Sequence, residues 1–258
     1  MNNTDFHINT SPNIHEQEIL NLRLRNAILN DNDSEIEKLF SQGAYFDVTN
    51  DYGLKLLIHL IKSEQTELVK KLLKSGTNLK NANEGRLMAA LIGKSGKEHL
   101  KLIKILLDTG FNVNAQDNNG MTALMFASHT GNDKLIKVFL DASADVNRKS
   151  DSGKTALMFA VTNEHGLNSK AILQTLLNAG ADVNSRDDDG KTALIHAIES
   201  GSEYWRNGKN MIAETIKILL ESNADLTIKD KDGKTALIYA IERNCSEVKK
   251  ILERVEKI

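Results

Sequence analysis

The sequence predicts an all-α fold, a solenoid of stacked helix–turn–helix units, and two observations carry that reading. The segments GMTALMFA (120–127), GKTALMFA (153–160), GKTALIHA (190–197) and GKTALIYA (233–240) are near copies, and the first three are followed by a second aliphatic run with a recurring tail. In that tail Gly43, Gly76, Gly110, Ser143, Gly180 and Asn223 share one place, at intervals of 33, 34, 33, 37 and 43 residues. A period of this size marks a repeat architecture, in which no unit buries its apolar face alone and stacking makes one continuous core.

Each element of the unit has a local cause. Thr122, Thr155, Thr192 and Thr235 stand where a helix N-cap is wanted, because a hydroxyl there accepts a bond from an otherwise unpaired N–H. The residues that follow are apolar and suit a helix of two to three turns. After a polar break, Asp133, Ser169 and Ser246 are the expected caps of a second helix. Its aliphatics, such as Leu135, Ile136, Val138, Phe139 and Leu140, cover more than one face and need neighbours on both sides. The recurring glycine or asparagine falls just past that helix, where a left-handed residue closes the last turn. Ten residues on, Gly53, Gly120, Gly153, Gly190 and Gly233 mark the tip of a polar turn, as in Asp187-Asp188-Asp189-Gly190.

This unit resembles the ankyrin repeat, and the resemblance covers about residues 17–258. The family pattern G-x-T-P-L-H-x-A, then L-L-x-x-G-A-D-V-N, is matched by GMTALMFA with FLDASADVN, GKTALMFA with LLNAGADVN, and GKTALIHA with LLESNADLT. The resemblance implies an ankyrin-repeat solenoid with a hairpin-like loop in each repeat. Two departures stand out. Alanine replaces the family's proline at Ala123, Ala156, Ala193 and Ala236, which the first helical position tolerates. Met125, Met158, Ile195 and Ile238 replace its histidine, so that residue's hydrogen bond is expected to be lost to apolar packing; His196 lies one position too late to supply it. The expected organisation is a polar tail at 1–16, a capping repeat at 17–49, repeats at 50–83, 84–117, 118–150, 151–187 and 188–230, and a truncated capping repeat at 231–258. In the tail, Phe6, Ile8 and Ile14 are placed to fold back on the first repeat. In the last repeat Val248, Ile251 and Leu252 are expected inward, with Lys249, Lys250, Glu253 and Arg254 toward water.

Composition narrows the function classes. The 258 residues are 40% hydrophobic with a formal net charge of −2, which argues against both disorder and a phosphate-neutralising nucleic-acid binder. The single cysteine, Cys245, leaves no disulfide framework within the chain. Neither a signal-peptide core nor eighteen consecutive apolar residues occurs, so a cytoplasmic protein without membrane contact is expected. Only Pro12 is proline, and the turns are made by glycine, asparagine and aspartate.

No motif for chemistry emerges. GKSGKEH (93–99) fails the phosphate-loop spacing and reads as the helix–helix turn of the third repeat. The seven histidines are scattered, and the run Asp187-Asp188-Asp189 lacks the later glutamate of a calcium loop. Catalytic residues, metal and cofactor are therefore expected to be none, and Cys245 is read as structural. Asn114, Asn147 and Asn184 are read as chosen for turn geometry; the resemblance adds that such asparagines can be hydroxylated in animal cells.

The resemblance implies partner binding on a concave face of loop tips and first helices. By position that face includes Tyr52, Asn118, Asn119, Met121, His129, Thr130, Asp151, Ser152, Lys154, Asp188, Asp189, Lys191, Asp232, Lys234, Glu242 and Arg243. Insertions of four and ten residues lengthen VTNEHGLNSK and IESGSEYWRNGKNMIAE between the two helices of neighbouring repeats. The longer one carries Tyr204, Trp205 and Arg206, residue types that dominate binding hot spots. The expected function is a non-enzymatic protein-binding module, monomeric when free. It would act as an adaptor or an antitoxin- or immunity-like inhibitor, with a bacterial or viral effector acting on a host protein as the alternative. An enzyme with an unrecognised site at the insertions is a third class.

Overall fold

The structure, a computed structural model, describes residues 14–30, 32–45, 51–62, 65–74, 97–108, 110–162, 169–204 and 211–255. All regular structure among them is helical. The chain divides into two compact units, Met1–Ala82 and Asn83–Ile258.

The first unit holds α1 (Ile14–Leu29), α2 (Asp33–Ser41), α3 (Asp51–Lys62) and α4 (Thr66–Lys74), with α1 packed on α2 and α3 on α4. Its core draws on Leu24, Ile28, Ile36 and Leu39 from the first pair and Leu57, Leu60, Val69 and Leu72 from the second. The start differs from the sequence reading in two details. Helix α1 begins at Ile14, inside the stretch assigned to the tail, and Ile14 is 80% exposed rather than folded back. Phe6 and Ile8 lie outside the described residues.

In the second unit, α5 (Lys97–Asp108) is followed by four helix pairs: α6 (Ala123–His129) with α7 (Asp133–Asp141), α8 (Ala156–Val161) with α9 (Ser169–Asn178), α10 (Ala193–Tyr204) with α11 (Met211–Glu221), and α12 (Ala236–Glu242) with α13 (Ser246–Val255). First helices pack in sequence, α6 on α8, α8 on α10 and α10 on α12, and the second helices do the same behind them. The near-identical segments occupy equivalent sites, so Leu124, Leu157 and Leu194 are all buried. The second helices supply Ile136, Phe139, Leu173, Leu176, Ile216 and Leu219 to the interior between the layers. In α13, Val248 and Leu252 are buried and Ile251 partly so, while Lys249 and Glu253 pair on the outside at 3.6 Å.

The helix ends refine the expected caps. Thr122, Thr155 and Thr235 hold extended backbone angles before their helices, as an N-cap should. Only the hydroxyls of Thr122 and Thr192 accept the capping bond, from Met125 N–H (3.3 Å) and Ile195 N–H (3.4 Å). Thr155 Oγ1 is buried without a partner, and Thr235 makes no capping bond. The second-helix cap before α7 is Asn132, not Asp133: Asn132 Oδ1 accepts from Leu135 N–H, and Asp133 starts the first turn. Ser169 and Ser246 likewise begin their helices instead of preceding them. The left-handed closures stand as expected, with φ of +64° at Ser143, +65° at Asn223 and +90° at Gly180.

Three ladders tie successive repeats together. At the loop tips, Asn119 C=O accepts from Asp151 N–H, Ser152 C=O from Asp188 N–H, and Asp189 C=O from Lys231 N–H, at 2.8–3.1 Å. Beside them Gln116 donates to Lys149 C=O, Lys149 to Arg186 C=O and Arg186 to Lys229 C=O. Farther along, Asn114, Asn147 and Asn184 accept from Asp145, Asp182 and Asp225 N–H at 2.7–2.8 Å. Asn147 and Asn184 also donate to Gly180 and Asn223 C=O. These asparagines therefore bridge repeats, which corrects their reading as local turn formers.

Insertion in the sixth repeat is also only partly a loop. Helix α10 has 12 residues where α6 has 7, so the inserted chain first extends the helix as far as Tyr204.

Candidate partner-binding face

The face made by the loops and the first helices of the second unit is organised in columns. The residue before each capping threonine is Met121, Lys154, Lys191 or Lys234; four places after it come Phe126, Phe159, His196 and Tyr239; seven after, His129, Thr162, Glu199 and Glu242.

Each loop is folded by one polar side chain at its start. Asp117 Oδ1 accepts from Asn119 and Met121 N–H, Asp187 Oδ1 from Asp189 and Lys191 N–H, and Asp230 Oδ1 from Asp232 and Lys234 N–H, all at 2.8–3.0 Å. Ser150 takes the same place just before the fifth repeat, where its Oγ accepts from Lys154 N–H at 3.2 Å. Such turns order the backbone through an acceptor two to four residues away. The run Asp187-Asp188-Asp189 is thus a turn, as read from the sequence.

The second carboxylate oxygen distinguishes the repeats. Asp187 Oδ2 lies 2.7 Å from His196 Nε2, and Asp230 Oδ2 accepts from the Tyr239 hydroxyl at 2.6 Å. A carboxylate only accepts, so Nε2 of His196 carries the proton. A loop-to-helix bond is therefore made in the sixth repeat from the position after the family's histidine, and tyrosine makes its equivalent in the seventh. At the family's own histidine position, Met125, Met158 and Ile195 are buried and replace the bond by packing, whereas Ile238 is 38% exposed.

Burial holds His196 below the ordinary histidine range, with the Lys154 charge acting the same way against the pull of Asp187 and Glu199. Burial opposes ionisation of Asp230, but the Tyr239 hydroxyl and the N–H groups of Lys234 and Asp232 outweigh it and keep the carboxyl below its usual value. Burial, reinforced by the bond to Asp230, pushes the Tyr239 hydroxyl well up.

Across the mouth of these two repeats, Lys191 pairs with Glu199 and Lys234 with Glu242, each at 2.8 Å. Both ammonium groups also approach the Tyr239 ring, at 5.5 and 5.6 Å from its centre. The fourth and fifth repeats differ. Met121, Phe126 and Phe159 are partly exposed there, and the His129 ring meets Phe159 edge-on at 6.0 Å. An open groove of about 470 Å3 lies between their loops, lined by Asn119, Met121, Ser150, Asp151, Ser152, Lys154 and Phe159.

The structure brings most of the expected site residues together. Asn118, Asn119, Asp188, Asp189 and Asp232 are exposed at the loop tips, and Met121, Lys154, Lys191 and Lys234 stand one step behind. Tyr52 lies in α3 of the first unit, with its side chain outside the described residues; so is that of Tyr204, and Trp205 and Arg206 lie outside them entirely. Sequence reasoning missed Phe159, His196 and Tyr239 as members of the face. The signal was available, because the Phe, Phe, His, Tyr column appears once the threonines are aligned. Cys245 is buried, where burial pushes its thiol up. Among the described residues no group of three or more His, Cys, Asp or Glu side chains could hold a metal ion, and no helix is long and apolar enough to cross a membrane.

Two layers of helices stacked in register, with one layer and its loops carrying a varied polar and aromatic face, define a helical-repeat solenoid. Compared with known families, the chain matches ankyrin repeats, in three copies of the family pattern over residues 24–117, 87–187 and 166–257. It belongs to the ankyrin-repeat family, whose members in general bind other proteins. No curated protein matches the chain at a significant level.

Proposed function

We propose that the chain is a non-enzymatic binding module that holds one partner protein on the face of loop tips and first helices. The observation that supports this best is the division of labour among columns. Core columns repeat, as at Leu124, Leu157 and Leu194, because stacking requires them. The face columns change from repeat to repeat, from Met121 and His129 to Lys191 and Glu199, although stacking does not demand it. Variation of that kind suits recognition of one particular surface.

The insertion carrying Tyr204, Trp205 and Arg206 is proposed as a second contact with the same partner. The role is that of a cytoplasmic adaptor or inhibitor, of antitoxin or immunity type, monomeric until it binds. Affinity capture from the native organism, followed by mass spectrometry, tests it with the wild-type chain against F159S and a Tyr204→Ser, Trp205→Ser double variant. A protein recovered in near-equal amount with wild type and reduced with both variants is expected. Equal recovery with variants that retain helical circular dichroism would overturn the proposal, and a host-cell partner would redirect it to an effector role.

A further inference from the structure

Lys191 and Lys234 each stand before a capping threonine, and each is answered by a glutamate seven places after it, Glu199 or Glu242, at 2.8 Å. Lys154 occupies the same place in the fifth repeat, but the answering position is Thr162. Thr162 does not turn toward it: its hydroxyl donates to the carbonyls of Met158 and Phe159, both at 3.2 Å. No ion pair of Lys154 occurs among the described residues. Lys154 lines the groove between the fourth and fifth loops, together with the partly exposed Met121 and Phe159. In the fourth repeat methionine replaces the lysine, so the groove lining carries one cationic residue, Lys154, with Met121 and Phe159 as its apolar part and Asn119, Ser150, Asp151 and Ser152 as its polar part.

We infer that this groove receives a partner segment bearing a single carboxylate next to a bulky apolar side chain. The partner's aspartate or glutamate takes the place that Glu199 and Glu242 fill in their own repeats. Its apolar neighbour covers Met121 and Phe159, and the polar walls, Asn119 and Ser152, face its backbone. Asp151 on the same lining limits the segment to one carboxylate, since a second would meet a like charge. The inference rests on the reading of the face as a protein-binding surface, and names the chemistry of that partner.

A displayed random-peptide library selected on the purified full chain tests it. Enriched peptides are expected to share one Asp or Glu beside Leu, Ile, Met or Phe. Synthetic copies should bind K154E roughly tenfold or more weakly while K154R keeps most of the affinity. Replacing the peptide's acid by lysine should restore binding to K154E. Circular dichroism of each variant separates lost contacts from lost fold, and F159S supplies an independent loss on the apolar side. Enrichment without an acidic bias, undiminished binding to a folded K154E, or no enrichment overturns the inference. Capture of the native partner in the preceding experiment is read separately: a partner lost with F159S but kept by K154E leaves the binding face intact and removes the carboxylate.

Discussion

His196 and Asp187, nine residues apart, close the loop of the sixth repeat onto its first helix through a 2.7 Å contact between two buried side chains. Asp187 serves both ends of the arrangement: one oxygen orders the loop backbone and the other anchors the imidazole. Glu199 lies 3.9 Å from the other ring nitrogen, and the Lys154 charge opposes protonation from the neighbouring repeat.

That geometry makes stability depend on pH in a defined direction. The folded ring titrates below its ordinary value, while the unfolded ring titrates near about 6.5. The folded state therefore binds fewer protons, and the contribution is complete above the unfolded value and lost as pH falls through it toward the folded one. Urea denaturation at about pH 7.5 and 5.5 should show a larger fall in midpoint for wild type than for H196F, which carries the side chain of the two preceding repeats. An equal fall in both would remove His196 as the cause.

Tyr239 should be silent in an alkaline titration of the folded chain. Phenolate absorbance at about pH 11 should be lower in the native protein than after unfolding, and Y239F should shrink that difference by one tyrosine. Because the folded hydroxyl holds its proton beyond the unfolded value, its stabilising effect is present below about pH 10 and lost as pH rises. At neutral pH, Y239F should cost about 1–3 kcal/mol, since a buried carboxylate loses a donor.

Asn147→Ala removes a donor and an acceptor between repeats at once, the bonds to Gly180 C=O and Asp182 N–H. Denaturant unfolding should show a loss of about 1–3 kcal/mol. A loss as small as that of an ordinary exposed substitution would mean that the bridge contributes nothing net.

Two glycines separate backbone strain from crowding. Gly153 and Gly233 have φ of +75° and +77°, so alanine pays a similar conformational penalty of about 1–2 kcal/mol at each. A Cβ on Gly153 would lie 2.6 Å from Asp188 N, whereas one on Gly233 meets nothing within 4 Å. G153A should therefore lower the melting temperature clearly more than G233A, and equal shifts would show that the loops yield freely.

Much of this architecture was legible because repetition exposes it: the aligned glycines located the left-handed closures, and Ser143 and Asn223 fitted once the period was set. The His196 tie was misjudged because a helix residue was assumed to reach the loop from one position only. Histidine and tyrosine are long enough to reach Asp187 and Asp230 from the next position. The Asn132 cap was missed because asparagine and aspartate stand side by side there, and composition alone does not choose between them. The asparagine bridges stayed hidden for another reason: each joins residues 31–41 positions apart, a distance that no local turn rule samples. Of the face, the column of lysines was read, but the pairing that leaves Lys154 in a different situation from Lys191 needed coordinates.

The loop-tip rungs have a consequence for how such a chain tolerates change. They join equivalent atoms whether the two residues lie 32, 36 or 42 positions apart, from Asn119 to Asp151, Ser152 to Asp188 and Asp189 to Lys231. Spacing along the stack is thus gauged by rungs and not by chain length. The extra residues fall in the sequence between the two helices of a repeat, where length changes without disturbing the register of the rungs. One edge acts as the ruler and the opposite edge is free to vary.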